Sequence, residues 1–203
     1  MNRWKKLIIL CLLISICLSP SVSRGQPYRD NLSIPPAEIY KKIMDYISRR
    51  DYVKIEKSIV FISPLIKELE KRYNTEIEPR IRDAIQKRDD KALLKSIQRL
   101  IFLDISDLFK LIISSMQESH EKAKVKLKIA YLDYMILSQE IQMIDFMSDK
   151  KIRNRFRKIS FIFDNLSPYK REDSMSSEVE NISKMTKAIE NEILKAFPEF
   201  KEE

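Results

Sequence analysis

The near absence of glycine is the strongest restriction on this chain. Its 203 residues contain one glycine, Gly25, and none follows it. Glycine adopts positive φ at no steric cost and lets the backbone approach a phosphate closely, so tight β-hairpins are disfavoured without it. The P-loop, the dinucleotide-binding fingerprint and the EF-hand loop all need glycine and are excluded. The sequence therefore predicts an all-α domain with none of these motifs.

The first 25 residues have the pattern of a secretory signal peptide. Arg3, Lys5 and Lys6 precede an apolar run at residues 7–18, and small residues follow Pro20. At about 1.5 Å per residue this run is too short to span ~30 Å of hydrocarbon, so cleavage is favoured over an uncleaved anchor. We therefore predict export to the periplasm or the extracellular space, with no transmembrane span after cleavage.

Removing this segment changes the composition of the chain. Both cysteines, Cys11 and Cys17, lie in it, so the mature chain would have no disulfide, no thiolate metal ligand and no thiol nucleophile. The segment holds four basic residues and no acidic one, so the net charge falls from +8 to +4. That excess is too small to indicate nucleic acid as a partner. His120 is the only histidine, and we expect neither an enzyme nor a cofactor.

The remaining sequence predicts an antiparallel bundle of about six helices. Most residues favour helix, and start and stop signals divide the chain into segments. Pro64 should kink or split the second segment. The helical segments are residues 35–49, 51–73, 79–87, 90–119, 121–144, 149–163 and 177–197.

The same signals predict how the chain is organised as a whole. The polar stretch before the last helix predicts a flexible linker. The order is a signal peptide at 1–25, an extended segment at 26–35, a bundle core at 36–166, a linker at 167–176, and a C-terminal helix and tail at 177–203.

One segment of the sequence recurs. ISRRDYVKIEKSI at residues 47–59 aligns with IQKRDDKALLKSI at residues 85–97, an offset of 38. In each copy an aspartate, Asp51 or Asp89, is placed to cap the following helix. The match indicates a duplicated helical hairpin, or else two lysine-rich capped helices that resemble each other.

A basic helix at residues 150–158 is the best candidate for an interaction surface. Its apolar residues share one helical face, as in helices that lie on anionic membranes or against acidic partners. Alternatively, this face docks on the bundle while the cations stay in water. We predict a non-enzymatic binding or scaffold protein of the cell envelope that contacts a protein partner or an anionic surface. The residues proposed for this contact are Lys150, Lys151, Arg153, Arg155, Arg157 and Lys158.

The second hypothesis is a periplasmic protein that binds or delivers a metal of the iron type. Asp104 is predicted on the apolar side of its helix, where an unpaired carboxylate is costly, and a salt bridge or hydrogen bond there is the simpler explanation. With carboxylates and phenols of the next helix it would offer oxygen ligands to iron(III) or calcium. This requires Asp104 and Asp133 to face each other. The full set is Asp104, Asp133, Glu140, Tyr131 and Tyr134.

Overall fold

The computed structural model describes residues 35–116, 118–165 and 172–201, and within these ranges the backbone is helical with no strand. The predicted all-α bundle is confirmed. The signal peptide and most of the extended segment lie outside the described residues. The elements are α1 (Pro36–Ser48), α2 (Tyr52–Tyr73), α3 (Glu78–Lys87), α4 (Asp90–Met116), α5 (His120–Ile144), α6 (Phe146–Asn165), α7 (Glu172–Ala196) and a 3-10 turn (Pro198–Lys201).

Helix α4 forms the centre of the bundle. All its side chains from residue 97 to residue 109 are buried, and a helix buried on every side is surrounded by other elements. Its largest interface is with α5, and α1, α2, α3 and α7 also pack against it. Helix α6 packs on α5 and α7 at the outside of this core.

The two copies of the recurring segment have the same turn geometry. Each turn passes through an arginine in the left-handed region, Arg50 with φ 55° and Arg88 with φ 54°. Asp51 and Asp89 then accept a hydrogen bond from the backbone amide three residues later, at 3.3 and 2.9 Å. Both predicted caps are confirmed. The turns lie side by side, because the Tyr52 hydroxyl donates to the backbone carbonyl of Arg88 at 3.3 Å.

Helix α2 spans Tyr52–Tyr73, close to the predicted range, and runs without interruption through Pro64, so the proline does not split it. Other predicted helix boundaries differ from the structure. Helix α6 begins at Phe146, three residues before the predicted start at residue 149. The reason is a cap that the prediction overlooked: Asp145 accepts a hydrogen bond from the backbone amide of Met147 at 2.9 Å.

The last helix belongs to the bundle. Helix α7 starts at Glu172, inside the segment predicted as a linker, and residues 166–171 lie outside the described part of the chain. Its residues Ile182, Ile189 and Ile193 are buried, and it packs on α4 and α6. The apolar core therefore extends past residue 166, the predicted end of the bundle core.

Candidate interaction surface

Helix α6 docks its apolar side on the bundle. Ile152, Phe156, Ile159 and Phe163 recur at helical spacing and are all buried. The Phe156 ring lies 5.2 Å from the Tyr131 ring of α5, measured between centroids. The predicted alternative of a helix that buries its apolar face against the bundle therefore describes α6 correctly, and its basic residues divide into two groups.

Two of the six predicted contact residues point toward neighbouring helices. The Arg153 Nε donates to Asp149 Oδ2 of the same helix at 2.8 Å, and its Nη2 donates to Ser138 Oγ of α5 at 2.5 Å. Arg155 Nη1 lies 3.8 Å from Glu192 Oε1 of α7, an ion pair with a largely buried carboxylate. These two arginines stabilise the packing of α6 and are poorly placed to meet a partner.

The other four cations lie on the outward side of α6 with exposed apolar residues. We name this surface the outer face of α6. At about 100° per residue its members fall within one arc of about 140°. Of the two acidic residues of α6, Asp149 is buried, whereas Asp164 is exposed at the edge of this arc and pairs with Lys124 of α5 at 2.6 Å. Between residues 146 and 161 the outer face consists of eight exposed residues: Phe146, Met147, Lys150, Lys151, Asn154, Arg157, Lys158 and Phe161.

The apolar members of this face are unusually exposed. Phe146 is 63% exposed and Met147 54%, and Phe161, about 20 Å farther along the helix, is 69% exposed. The adjoining end of α5 adds Met143, 81% exposed, and Ile144, 54% exposed. Isolated exposed apolar residues are ordinary, but a contiguous group rimmed by polar residues is typical of an interaction site. The corner between α5 and α6 therefore extends the outer face.

An apolar groove continues the surface toward the start of α5. It has a volume of about 480 Å³ and lies between α5 and α6. Phe156 and Leu127 are buried in its floor, and Tyr131 is half-buried. Arg157 of the outer face and Lys128 of α5 stand at its edge. Cations and apolar surface thus remain adjacent along the length of the hairpin.

A buried polar cluster fixes α6 against α5. The Asp149 carboxylate accepts hydrogen bonds from Ser138 Oγ and Gln142 Nε2, each at 2.9 Å, as well as from Arg153 and the Tyr134 hydroxyl. Burial opposes ionisation of Asp149, but these donors outweigh it and hold the pKa of Asp149 below its usual value. Burial and the neighbouring Asp149 raise the pKa of Tyr134. This cluster was missed by the sequence reasoning, although the Asp149–Arg153 spacing of four residues signals an ion pair.

The predicted metal ligands occupy different places on α4 and α5. Asp104 and Asp133 are fully buried. Gln98 of α4 donates to Glu140 of α5, and that bond sets the antiparallel register of these helices. By this register, six residues along α4 and seven back along α5, Asp104 and Asp133 lie at about the same level of the two helices. The Tyr40 hydroxyl of α1 donates to Asp104 Oδ2 at 3.0 Å.

The other three members of the metal set have contacts elsewhere. Glu140 is seven residues from Asp133, about 10 Å along the helix, and the two do not share a site. The Tyr134 hydroxyl donates to Asp149, and the Tyr131 ring packs on Phe156. In the described part of the chain, no three His, Cys, Asp or Glu side chains are grouped so that they could hold a metal ion.

Among the described residues, no helix is both long enough and apolar enough to cross a membrane. Comparison of the chain with protein-family models, with curated proteins and with solved structures finds no match.

Proposed function

We propose that this chain is a non-enzymatic, exported helical protein that binds an anionic membrane surface of the cell envelope through the outer face of α6. One observation carries the proposal: four exposed cations share a face with three large exposed apolar side chains, and the acidic residue at its edge, Asp164, pairs with Lys124. On such a face the apolar side chains enter the headgroup boundary while the cations attract acidic headgroups.

The composition of the face favours lipid over a protein partner. Three of its four cations are lysines, Lys150, Lys151 and Lys158. Protein interfaces are depleted in lysine and enriched in arginine, because ammonium groups are costly to desolvate in the centre of an interface. At a membrane surface lysine keeps its water and still contributes about 1 kcal/mol of attraction. We therefore expect this face to bind acidic lipid headgroups more tightly than an acidic protein partner.

The charge of the surrounding hairpin has the same sign. Helices α5 and α6 and their junction, residues 120–165, contain ten Lys and Arg against six Asp and Glu. The same hairpin holds seven of the ten large apolar side chains that are exposed in the described part of the chain. Because the Asp149 cluster holds α6 in place, the surface exists before binding and little ordering entropy opposes association.

Vesicle sedimentation at varied salt tests the proposal. We expect the protein to sediment with vesicles of equal phosphatidylglycerol and phosphatidylcholine content and to bind pure phosphatidylcholine weakly. Raising NaCl from about 0.05 to about 0.5 M should reduce the affinity at least about tenfold, because exposed charges are screened. Equal binding to both vesicle types, or salt-independent binding, would contradict an electrostatic surface. Absence of vesicle binding together with binding to an acidic envelope protein would transfer the site to a protein partner.

A further inference from the structure

The apolar groove between α5 and α6 has the length and the lining of a site for one hydrocarbon chain. Its α5 residues run from Glu121 to Tyr131, which is about 15 Å along the helix. Leu127 and Phe156 are buried in its floor, and Val125, which is 57% exposed, lines it as well. Its volume lies within the range of small-molecule sites, which are mainly apolar with a few polar groups. The groove therefore offers an elongated apolar surface to a ligand.

Two contacts between α5 and α6 enclose the middle of this groove. The Lys124–Asp164 ion pair, at 2.6 Å, connects the helices near one end, and the rings of Tyr131 and Phe156 meet near the other. Ser160 lies on α6 between these contacts, about one turn from each. Its small side chain leaves space that a larger one would fill, so a substitution at this position can close the groove.

The charged residues at the groove complement a single anionic group. Three of the described residues that line it are basic and one, Glu121, is acidic. Lys124 is paired with Asp164, whereas Lys128 and Arg157 are exposed and form no ion pair within the described part of the chain. A phosphate oxygen accepts strong, charge-assisted hydrogen bonds from such side chains. Apolar surface and two available cations thus lie at one site.

We propose that this groove takes one acyl chain of an anionic phospholipid, with the lipid phosphate against Lys128 and Arg157. The inference rests on the proposed function, because the membrane beneath the outer face of α6 supplies the lipid. Arg157 belongs to both the outer face and the groove, so the two surfaces are continuous. A helix of a second copy, about 10 Å in diameter, is too wide to enter between helices that stay in contact on both sides of Ser160.

Titration of the mature chain with a monomeric lipid tests this proposal without a membrane. The probe is lauroyl lysophosphatidylglycerol below its critical micelle concentration, which has one acyl chain and one phosphate. Calorimetry measures its affinity and stoichiometry, and NMR of the Leu127 and Val125 methyl groups locates it. We expect one probe per chain and saturable shifts of both methyl signals. The zwitterionic lysophosphatidylcholine with the same chain should bind at least about fivefold more weakly.

Three variants assign the binding to the groove. Ser160→Phe should fill the groove and weaken probe binding at least about tenfold, because the acyl chain loses its buried apolar contacts. It should retain salt-dependent vesicle binding, since Ser160 lies outside the outer face. Lys128→Gln should weaken probe binding about fivefold, and it stays informative if Ser160→Phe fails to fold, because Lys128 is exposed. Lys122→Gln is the matched control and should leave the affinity unchanged, since Lys122 is an exposed lysine of α5 that does not line the groove.

The outcomes separate this proposal from the proposed function. Vesicle binding without saturable probe binding would overturn the groove as a lipid site and leave the outer face standing. Probe binding without vesicle binding would support the groove and overturn the membrane surface. Equal probe affinity of Ser160→Phe and the wild type, or equal affinity for the two headgroups, would overturn the site as described. A dimer that Ser160→Phe disrupts, in the absence of probe binding, would assign the groove to a second copy of the chain instead.

Discussion

Replacement of Asp149 with alanine is expected to lower the free energy of unfolding by about 3–5 kcal/mol, because it removes one partner of a buried ion pair. Arg153 would keep its charge at a half-buried position, and the hydroxyls of Tyr134 and Ser138 would lose their shared acceptor. Urea unfolding followed by far-UV circular dichroism measures the loss. Asp164→Ala is the matched control, since Asp164 and its partner Lys124 are both exposed. Similar losses in the two variants would contradict a stabilising role for the Asp149 cluster.

The loss in the Asp149 variant should also depend on pH. The pKa of Asp149 is lower in the folded state than the ordinary value of 3.8, so the folded state favours the ionised carboxylate. This contribution is present in full above the unfolded pKa and is lost as the pH falls through the folded pKa. The difference in unfolding free energy between the wild type and Asp149→Ala should therefore narrow when urea unfolding is repeated in increasingly acidic buffer.

Neutralising the four cations of the outer face is expected to weaken binding to anionic vesicles about 10³-fold, since each cation contributes about 1 kcal/mol near such a surface and 1.4 kcal/mol is tenfold. The fold should be unaffected, because all four side chains are exposed. Sedimentation with phosphatidylglycerol-containing vesicles measures the affinity. The variant carries Lys150→Gln, Lys151→Gln, Arg157→Gln and Lys158→Gln.

A second variant with the same net charge is the control for this experiment. It neutralises four exposed lysines of α1 and α2, away from the hairpin. Its vesicle affinity should fall much less, because screening limits the reach of distant charges to about 10 Å. Equal losses in both variants would show that only net charge matters and would discard the outer face as the binding surface. The control carries Lys41→Gln, Lys42→Gln, Lys67→Gln and Lys71→Gln.

Local signals in the sequence predicted most of the fold. Helix periodicity and the lack of glycine indicated an all-α chain, and the caps at Asp51 and Asp89 were recognised because a cap acts within three residues. The start of α6 differs because the local cap at Asp145 was overlooked. Other features depend on tertiary context: helix α2 continues through Pro64, which lies at an exposed position of the bundle, and Ile182 and Ile189 of α7 gain their burial from distant helices.

The candidate surface was predicted less completely, because residues far apart in the sequence decide which cations are exposed. The ion pair that draws Arg153 away from the exposed surface could have been predicted from Asp149, four residues earlier. The ion pair of Arg155 could not, since Glu192 belongs to a different helix and no local pattern links them. The same holds for Asp104, whose hydroxyl partner, Tyr40, lies 64 residues away.

Tryptophan fluorescence tests contact between the outer face of α6 and an anionic membrane most directly. The only tryptophan, Trp4, lies in the predicted signal peptide, so Phe161→Trp in the mature chain places a single reporter on this face. A matched chain carries Phe61→Trp instead, at an exposed position of α2. We predict that phosphatidylglycerol-containing vesicles shift the emission of the reporter at position 161 to shorter wavelength and leave the reporter at position 61 unchanged. No shift at position 161, or equal shifts at both positions, would contradict the proposed membrane-binding face.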